Sequence, residues 1–405
     1  MNKKIERNIC VAFWMYCTVL ITFNELIGLF VSKTIMRAGY IILMALFFWK
    51  KLYKNNFIIR ISRIDRLVLL YSTYVFFRGL FQVISGNLIV GSAMTWVQNW
   101  IPILAYFIAR DLKSDERKTI EYLFASLAAI SVTMGFLNSK VNFLPQVGAF
   151  AGGLYADAGN GALQIRGYSM AGIALITGFI CGYSLCCLLD LNIDKKRKAV
   201  LFVVNLLGCL YSLSRGALAF VIISFGVYFF IRFFQNKQLV SRRAGITITL
   251  ILLIGIAIVW INLEKITSSV FFGRFVIAGM SRAENSNLYR ANYQRDAIRS
   301  FMQSPILGKG YGFTGYQAIS AGIKETINTE SYILSLSISA GTIGLLLFLA
   351  ITIISLKRFD KHFTKYACTI IGMFAWSVMY ILLDSDLIGL FFWYCIGILG
   401  RGKEY

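Results

Sequence analysis

The chain alternates between long apolar runs and short polar connections. Twelve runs approach or reach the roughly 18–20 residues that cross a bilayer as a helix, and they cover 9–31, 36–53, 64–85, 89–109, 119–137, 169–189, 198–213, 217–234, 244–262, 331–355, 366–383 and 387–400. We therefore predict an all-α integral membrane protein with about twelve transmembrane helices. The seventh and twelfth runs are short. Merging the seventh with the eighth would invert every later connection.

Basic residues decide which side each connection occupies. Blocks such as Lys50/Lys51/Lys54, Arg110/Lys113/Arg117/Lys118 and Lys357/Arg358/Lys361/Lys365 recur at every second connection, which is the positive-inside pattern. This sidedness keeps the seventh and eighth runs separate and places both termini in the cytoplasm. Most of the net charge of +22 is then topological and does not indicate nucleic acid. The eight cysteines fall in apolar runs without metal-ligand spacing, so neither a metal site nor a cofactor is predicted.

Two connections on the predicted outer side are longer than the others. They divide the chain into helices 1–5 (1–137), helices 6–9 with a glycine-rich outer loop before them (138–262), a polar arginine-rich loop (263–330) and helices 10–12 (331–405). Within the polar loop, apolar residues recur at helical spacing over 286–303, before Pro305. We expect an amphipathic helix there, lying on the outer surface.

Arginines on the outer side are the first candidates for chemistry. Arg215 sits in the turn between the seventh and eighth runs, and Arg166 ends the glycine-rich loop. The polar loop adds Arg274, Arg282, Arg290, Arg295 and Arg299. Each could simply be an interfacial or surface charge. Against that reading, cations held on the outer side build a strong positive field, and guanidinium groups bind phosphate with a bidentate geometry that lysine lacks.

A general base on the outer side must be a carboxylate, because the only histidine, His362, lies in an inner basic loop. Glu330, Asp157, Asp384 and Asp386 are the candidates. Glu330 stands at the outer mouth of the tenth run, where a carboxylate could also serve only the helix dipole. The nearby Gly308-Lys309-Gly310-Tyr311-Gly312 lacks the strand–loop–helix context of a nucleotide site, and a flexible connector is the expectation for it.

Several motifs together resemble those of the O-antigen polymerase and ligase family. The motifs are Ser304-Pro-Ile-Leu-Gly-Lys-Gly-Tyr-Gly-Phe313, Thr329-Glu-Ser-Tyr-Ile-Leu-Ser-Leu336, Gly341-Thr-Ile-Gly-Leu-Leu-Leu-Phe348, the Ser214-Arg215-Gly216 turn and the pair Arg166-Gly167. Arg290 matches the arginine that opens the family's amphipathic helix. Ligases of the family carry histidine and asparagine where this chain has Thr329-Glu330, a departure that resembles the polymerase and capsule or exopolysaccharide branch.

The resemblance implies a metal-independent, GT-C-like glycosyltransferase without cofactors in the bacterial cytoplasmic (inner) membrane. Such enzymes take an undecaprenyl-diphosphate-linked oligosaccharide as donor and as acceptor on the extracytoplasmic side, and direct displacement inverts the anomeric centre. Glu330, Arg215 and Arg290 are then the expected catalytic residues. The expected substrate-binding residues are Arg166, Arg274, Arg295, Arg299, Lys309, Tyr311 and Tyr332.

Membrane lipids and a polysaccharide chain-length regulator are the further partners that this interpretation allows. Two alternatives remain open: an O-antigen ligase that moves finished chains onto a lipid core, and a transporter or flippase for the lipid-linked glycan. A flippase would place charges deep in several helices, whereas these arginines lie mostly in loops and turns.

Overall fold

The computed structural model describes residues 2–54, 61–84, 90–147, 155–157, 163–165, 167–235, 283–314, 327, 329–357, 363–380 and 382–401. Its helices are α1 (Asn2–Thr22), α2 (Asn24–Gly28), α3 (Lys33–Lys54), α4 (Arg63–Ile84), α5 (Val90–Arg110), α6 (Ser114–Val141), α7 (Ala174–Leu188), α8 (Lys195–Tyr211), α9 (Arg215–Gln235), α10 (Ala283–Met302), α11 (Tyr332–Lys357), α12 (Thr364–Met379) and α13 (Asp386–Gly400), with a 3-10 turn at Leu382–Asp384.

Each predicted apolar run that the structure describes is mostly helical. Three helical segments are long and apolar enough to cross a membrane, namely Ser114–Val141, Arg215–Phe233 and Tyr332–Lys357, and three shorter ones are apolar, namely Arg7–Thr22, Ala174–Leu188 and Asp386–Gly400. The membrane-helix character is therefore confirmed, while twelve crossings remain a prediction. The ninth run, 244–262, lies outside the described residues. The seventh and eighth runs are separate helices, α8 and α9, as the charge pattern required.

A short β-hairpin departs from the all-α expectation. Strand β1 (Tyr155–Asp157) pairs antiparallel with β2 (Leu163–Ile165) in the glycine-rich loop. Hydrophobic periodicity did not indicate these strands because each is only three residues long.

The core is built around α13, which is apolar on every side. Its residues from Ile388 to Gly400 are all buried, as expected of a helix that is hydrophobic all round. Aromatic rings surround it: Trp14 of α1 lies 4.7 Å from Tyr394, and Phe124 of α6 lies 4.8 Å from Phe391, between ring centroids. Edge-to-face contacts of this kind add to the stabilisation from burial.

The helix ends form two chemically different faces. One, the basic end, carries ion pairs between neighbouring helix ends: Arg7–Glu116, Lys51–Asp111, Arg110–Asp65, Arg232–Asp190 and Lys365–Glu121. The other, the Glu330 end, gathers the ends of α6, α8 and α12 with the starts of α9, α11 and α13. The helix ends that these ion pairs join are ends that the basic blocks had predicted to share one side of the membrane.

The amphipathic helix is α10, and it packs against α11. Its small residues Ala297 and Ser300 are buried, whereas Ile298 and Met302 are exposed. The side that meets the protein is therefore the one with the shortest side chains. The larger apolar residues share the exposed side with Arg295 and Arg299, an arrangement typical of a helix at a membrane interface.

Candidate functional site

The turn between α8 and α9 is rigidly defined. Leu213 has φ +49°, an uncommon conformation for a non-glycine residue. The Ser212 hydroxyl accepts from the Ser214 N–H at 3.2 Å, and the Ser214 hydroxyl accepts from the Ala217 N–H at 3.4 Å. Ser214 therefore caps α9, and Arg215 is the first helical residue.

Arg215 is a half-buried cation in an unfavourable electrostatic position. It stands at the helix N-terminus, where the helix dipole is positive. Among the described residues, no carboxylate forms an ion pair with it. A guanidinium and a helix N-terminus together make a site that an anion would stabilise.

The Ser214-Arg215-Gly216 turn lies against two other predicted elements. The Gly167 N–H donates to the Tyr211 carbonyl at 3.1 Å, so the segment after Arg166 reaches the same turn. Arg166 itself lies outside the described residues. Gly216 packs directly on the indole of Trp376 in α12, and a Cβ at this position would collide with that ring.

Glu330 has a strained backbone just before the start of α11. Its φ is +45°, and such conformations in non-glycine residues concentrate at functional sites. The Ser331 hydroxyl accepts from the Leu334 N–H at 3.5 Å, so the capping oxygen is that of Ser331. The side chain of Glu330 is half-buried.

The end of α12 connects Glu330 with the turn that holds Arg215. The Tyr332 N–H donates to the Tyr380 carbonyl at 3.2 Å. The Tyr380 ring is 6.4 Å from that of Trp376, centroid to centroid, and Trp376 covers Gly216. Two residues that are 115 positions apart in the sequence thus flank one helix end.

The glycine loop is locked in place, which corrects the expectation of a flexible connector. Helix α11 is broken at Gly341, whose φ of +66° and ψ of −171° are accessible essentially only to glycine. The loop fills this break: the Lys309 N–H donates to the Ile338 carbonyl at 2.6 Å, and the Thr342 N–H donates to the Pro305 carbonyl at 2.8 Å. The helix groups freed by the kink are therefore satisfied by the loop, as burial requires.

Helix α4 holds the other side of the loop through residues that no sequence motif indicated. Arg78 donates from Nε to the Leu307 carbonyl at 2.9 Å and from Nη2 to the Gly308 carbonyl at 2.6 Å. The Gln82 amide accepts from the Tyr311 N–H at 2.7 Å and donates to its carbonyl at 3.2 Å. Arg78 was missed because a lone arginine near the end of an apolar helix looks like an interfacial charge.

The two tyrosines predicted to bind substrate are buried. The Tyr311 side chain is 1% exposed and that of Tyr332 is 6% exposed. Tyr332 packs edge-to-face on Phe348 with the centroids 5.7 Å apart. In this structure their rings pack inside the protein, and their role in substrate binding stays a prediction. Lys309, which is half-buried on the same loop, keeps a surface.

Asp384 closes a polar network behind Glu330. Its Oδ2 accepts from the Ser335 hydroxyl at 3.0 Å, and Ser335 shares a hydrogen bond of 2.7 Å with Thr314 at the end of the glycine loop. Burial raises the pKa of Asp384 to about 6, while hydrogen bonds from Ser335 and Asn99 act in the opposite direction. This network ties the loop, α5 and α11 together.

The structure describes the side chains of only some of the arginines of the polar loop. Arg290 lies in α10, but its side chain is outside the described part, as is all of Arg274. Arg295 is exposed. Arg299 is also exposed and lies 3.7 Å from Asp296, an arrangement of little energetic weight. Over the described residues, no three His, Cys, Asp or Glu side chains group as metal ligands would.

Comparison with known proteins supports the resemblance that the motifs suggested. Residues 200–349 match the family model described as O-antigen ligase. The match contains the Ser214-Arg215-Gly216 turn, α10, the glycine loop, Glu330 and the kink of α11. It covers less than half of the chain, and no curated protein matches. The resemblance to the O-antigen polymerase and ligase family is thereby confirmed.

Proposed function

We propose that this member of the O-antigen polymerase and ligase family joins undecaprenyl-diphosphate-linked oligosaccharide repeat units into a polysaccharide. The observation that carries the proposal is Arg215, half-buried at the start of α9 with no carboxylate partner in the described part of the chain. Such a cation would stabilise the negative charge of a lipid diphosphate bound at this position. With the basic end in the cytoplasm, the Glu330 end faces the outer side of the bacterial cytoplasmic membrane.

In the proposed reaction, an acceptor sugar hydroxyl attacks the anomeric carbon of the donor. The new C–O bond forms as the bond to the diphosphate breaks, and the electron pair leaves with the diphosphate. Arg215 and Arg290 stabilise that charge, and Glu330 accepts the hydroxyl proton. One in-line displacement inverts the anomeric centre. These steps involve no metal or cofactor.

The remaining cations have a supporting role in this proposal. Arg166, Arg274, Arg295, Arg299 and Lys309 attract and hold the anionic carrier, which a positive surface brings in faster at low ionic strength. The exposed apolar residues of α10 contact membrane lipids. A chain-length regulator remains a proposed partner.

A ligase is the second candidate, because the matching family model is described as O-antigen ligase. Thr329-Glu330 stands where the resembling ligases carry histidine and asparagine, and for this reason we favour the polymerase. Both reactions have the same leaving group and differ in the acceptor.

A strain lacking this chain separates the candidates on a gel of its surface glycan. Loss of the ladder with single repeats still present is the result that we expect. Long chains retained on the carrier, with none transferred to the surface, would indicate a ligase. Single repeats held on the cytoplasmic face would indicate a flippase and would overturn the proposal.

A further inference from the structure

A polar cavity opens at the Glu330 end, between α1, α2, α3, α7 and α13. We call it the α3–α13 cavity, and its volume is about 180 Å³. That is room for about six waters at ~30 Å³ each, or for one pyranose ring. Its polar lining comes from Asn24, Lys33, Arg37, Tyr40, Ser385 and Asp386.

The base of the cavity is a pre-organised charged group. Arg37 donates from Nε to Asp386 Oδ2 at 2.7 Å, and the Tyr40 hydroxyl donates to the same oxygen at 3.0 Å. The Asp386 side chain is only 5% exposed, whereas that of Arg37 is 24% exposed. The guanidinium is therefore held rigidly while part of it still faces the cavity, as a binding group requires.

The rim is polar and compensated in charge. Lys33 is half exposed and lies 3.1 Å from Glu25, and the Asn24 amide donates to the same carboxylate at 3.3 Å. Two cations at the cavity, Lys33 and Arg37, are thus balanced by two carboxylates, Glu25 and Asp386. A balanced site has no net attraction for phosphate, and it suits a neutral ligand rich in hydroxyl groups.

The rest of the lining is aliphatic and includes Ile21, Met36 and Ile176. A sugar ring has the matching surface, because its hydroxyl groups lie around the edge and its C–H groups form an apolar face. Pockets of this composition use a few fixed polar groups to orient a ligand against an apolar wall.

The cavity borders the site of the proposed reaction. Ser385 and Asp386 directly follow Asp384, which is hydrogen-bonded to Ser335 in the first turns of α11. Tyr380 and Asp384 thus contact the start of α11, just after Glu330, and the next residues, Ser385 and Asp386, line the cavity. A glycan chain could reach both Glu330 and the cavity from the same face.

We infer that the α3–α13 cavity binds one neutral monosaccharide residue of the glycan. The inference rests on the proposed function for the identity of that glycan. The other source of the same hydroxyl chemistry is a phospholipid headgroup such as that of phosphatidylglycerol, and the test distinguishes the two.

The first experiment measures binding without any reaction. Saturation-transfer NMR would be recorded on the purified protein in detergent, with the monosaccharides released by acid hydrolysis of the producing strain's own polysaccharide. Ile176→Phe fills the cavity and keeps its charged groups, and Ile130→Phe is the matched control on an exposed surface of α6. We expect saturable transfer for the wild type and the control, reduced roughly tenfold or more in Ile176→Phe.

Equal transfer in all three proteins, or none to any sugar, would overturn the inference. So would displacement of the sugar by short-chain phosphatidylglycerol at a lower concentration than that of the sugar, since the site would then prefer a headgroup. Because no polymerisation is measured, these outcomes do not depend on whether the chain is a polymerase or a ligase.

A second measurement covers the case in which Ile176→Phe does not fold. All eight native cysteines are buried, so Ser385→Cys introduces a reactive thiol at the cavity wall. The sugars should slow its labelling by a maleimide and leave the exposed control Ser139→Cys unaffected. Equal labelling rates with and without sugar at Ser385→Cys would contradict the inference.

Discussion

At the scale of single residues, two features of the Glu330 end are unusual for packing alone. Glu330 has a positive φ although Ser331 performs the capping, and Arg215 is a half-buried cation at a positive helix terminus. Each has a cost in free energy, and a substrate that needs both a base and a cation offsets that cost. These two residues therefore carry the sharpest predictions.

Glu330→Gln should abolish chain elongation, because the amide keeps the shape of the side chain and cannot accept the acceptor proton. A general base contributes on the order of 10²–10⁴ in rate. The measurement is elongation of a lipid-linked repeat by purified protein. Carrier binding and thermal stability should stay close to wild type, and Glu330→Asp should retain a trace of activity. Near-normal elongation by the Gln variant would exclude the role.

Arg215→Lys and Arg290→Lys should each lower the elongation rate although the charge is kept. Lysine lacks the planar fork that binds two phosphate oxygens, and losing a transition-state contact of this kind costs roughly a hundredfold or more. Arg66→Lys is the matched control, because Arg66 is exposed near the start of α4 at the basic end and has no part in the proposed site. If both principal variants polymerise as fast as the control, the assignment to the diphosphate is wrong.

At the scale of elements, the glycine loop and α11 form one unit. Gly308 and Gly341 lie so close that a Cβ built on Gly308 would be 2.6 Å from the Gly341 nitrogen, and one on Gly341 would be 2.5 Å from the Gly308 nitrogen. Each of these two glycines is therefore required because the other lies so close to it. The sequence showed that both motifs are present, but not that their glycines are in contact.

Gly341→Ala should therefore destabilise the protein strongly, because it adds both a forbidden backbone conformation and a collision with Ile306 and Gly308. A strained backbone position of this kind costs about 1–3 kcal/mol, and the collision adds to it. The readout is thermal unfolding in detergent together with the amount of protein in the membrane. Gly226→Ala is the control, since nothing lies within 4 Å of its Cβ position, and it should be neutral or slightly stabilising. Equal melting of both variants would contradict this account of the kink.

Asp384 should make stability depend on pH in the window between its unfolded and folded pKa values. Burial raises the folded pKa to about 6 from an ordinary value of 3.8, so the folded state holds the proton longer than the unfolded chain does. Stability should therefore fall as the pH rises through this window. Asp384→Asn keeps the hydrogen-bond geometry and removes the titration.

The melting temperature of the wild type relative to Asp384→Asn should thus be lower at about pH 7.5 than at about pH 4.5. Comparing the two proteins cancels the titration of every other group. A difference that is constant over this range would show that Asp384 titrates normally.

At the scale of the whole molecule, the two ends of the helix bundle carry different groups. The basic end carries five ion pairs between described helix ends, including a buried one in which Lys365 Nζ lies 2.5 Å from Glu121 Oε2. The Glu330 end carries a cation without a carboxylate partner among the described residues, a strained carboxylate and an open cavity. From the positive-inside rule we predict that this second end lies outside the cytoplasm.

Labelling of intact cells tests this orientation. Ser139→Cys lies near the Glu330 end, and Asp115→Cys lies at the basic end, where the side chain is 95% exposed. A maleimide that does not cross membranes should label Ser139→Cys in whole cells and Asp115→Cys only after permeabilisation. The reverse pattern would place the proposed site in the cytoplasm and contradict the polymerase proposal.

The sequence alone predicted which of the described segments are helical and which of their ends lie together. Apolar length and basic sidedness are properties of short stretches, so they predicted the group of helix ends that meet at the basic end. Motif order indicated the resemblance to the O-antigen polymerase and ligase family, and residue type indicated Arg215 and Glu330 as candidates. None of these inferences depended on how helices pack.

Only the tertiary structure decided how the site is built. It brought Gly167 to Tyr211, Trp376 to Gly216 and Tyr380 to Tyr332. It also showed that the glycine loop, which was expected to be a flexible connector, fills the break in α11 and is held there by Arg78 and Gln82. The physical reason is that close packing and hydrogen bonding between distant segments depend on rotation and depth of each helix, which local hydrophobicity does not specify. For the same reason the α3–α13 cavity, whose walls come from five helices, has no signature in the sequence.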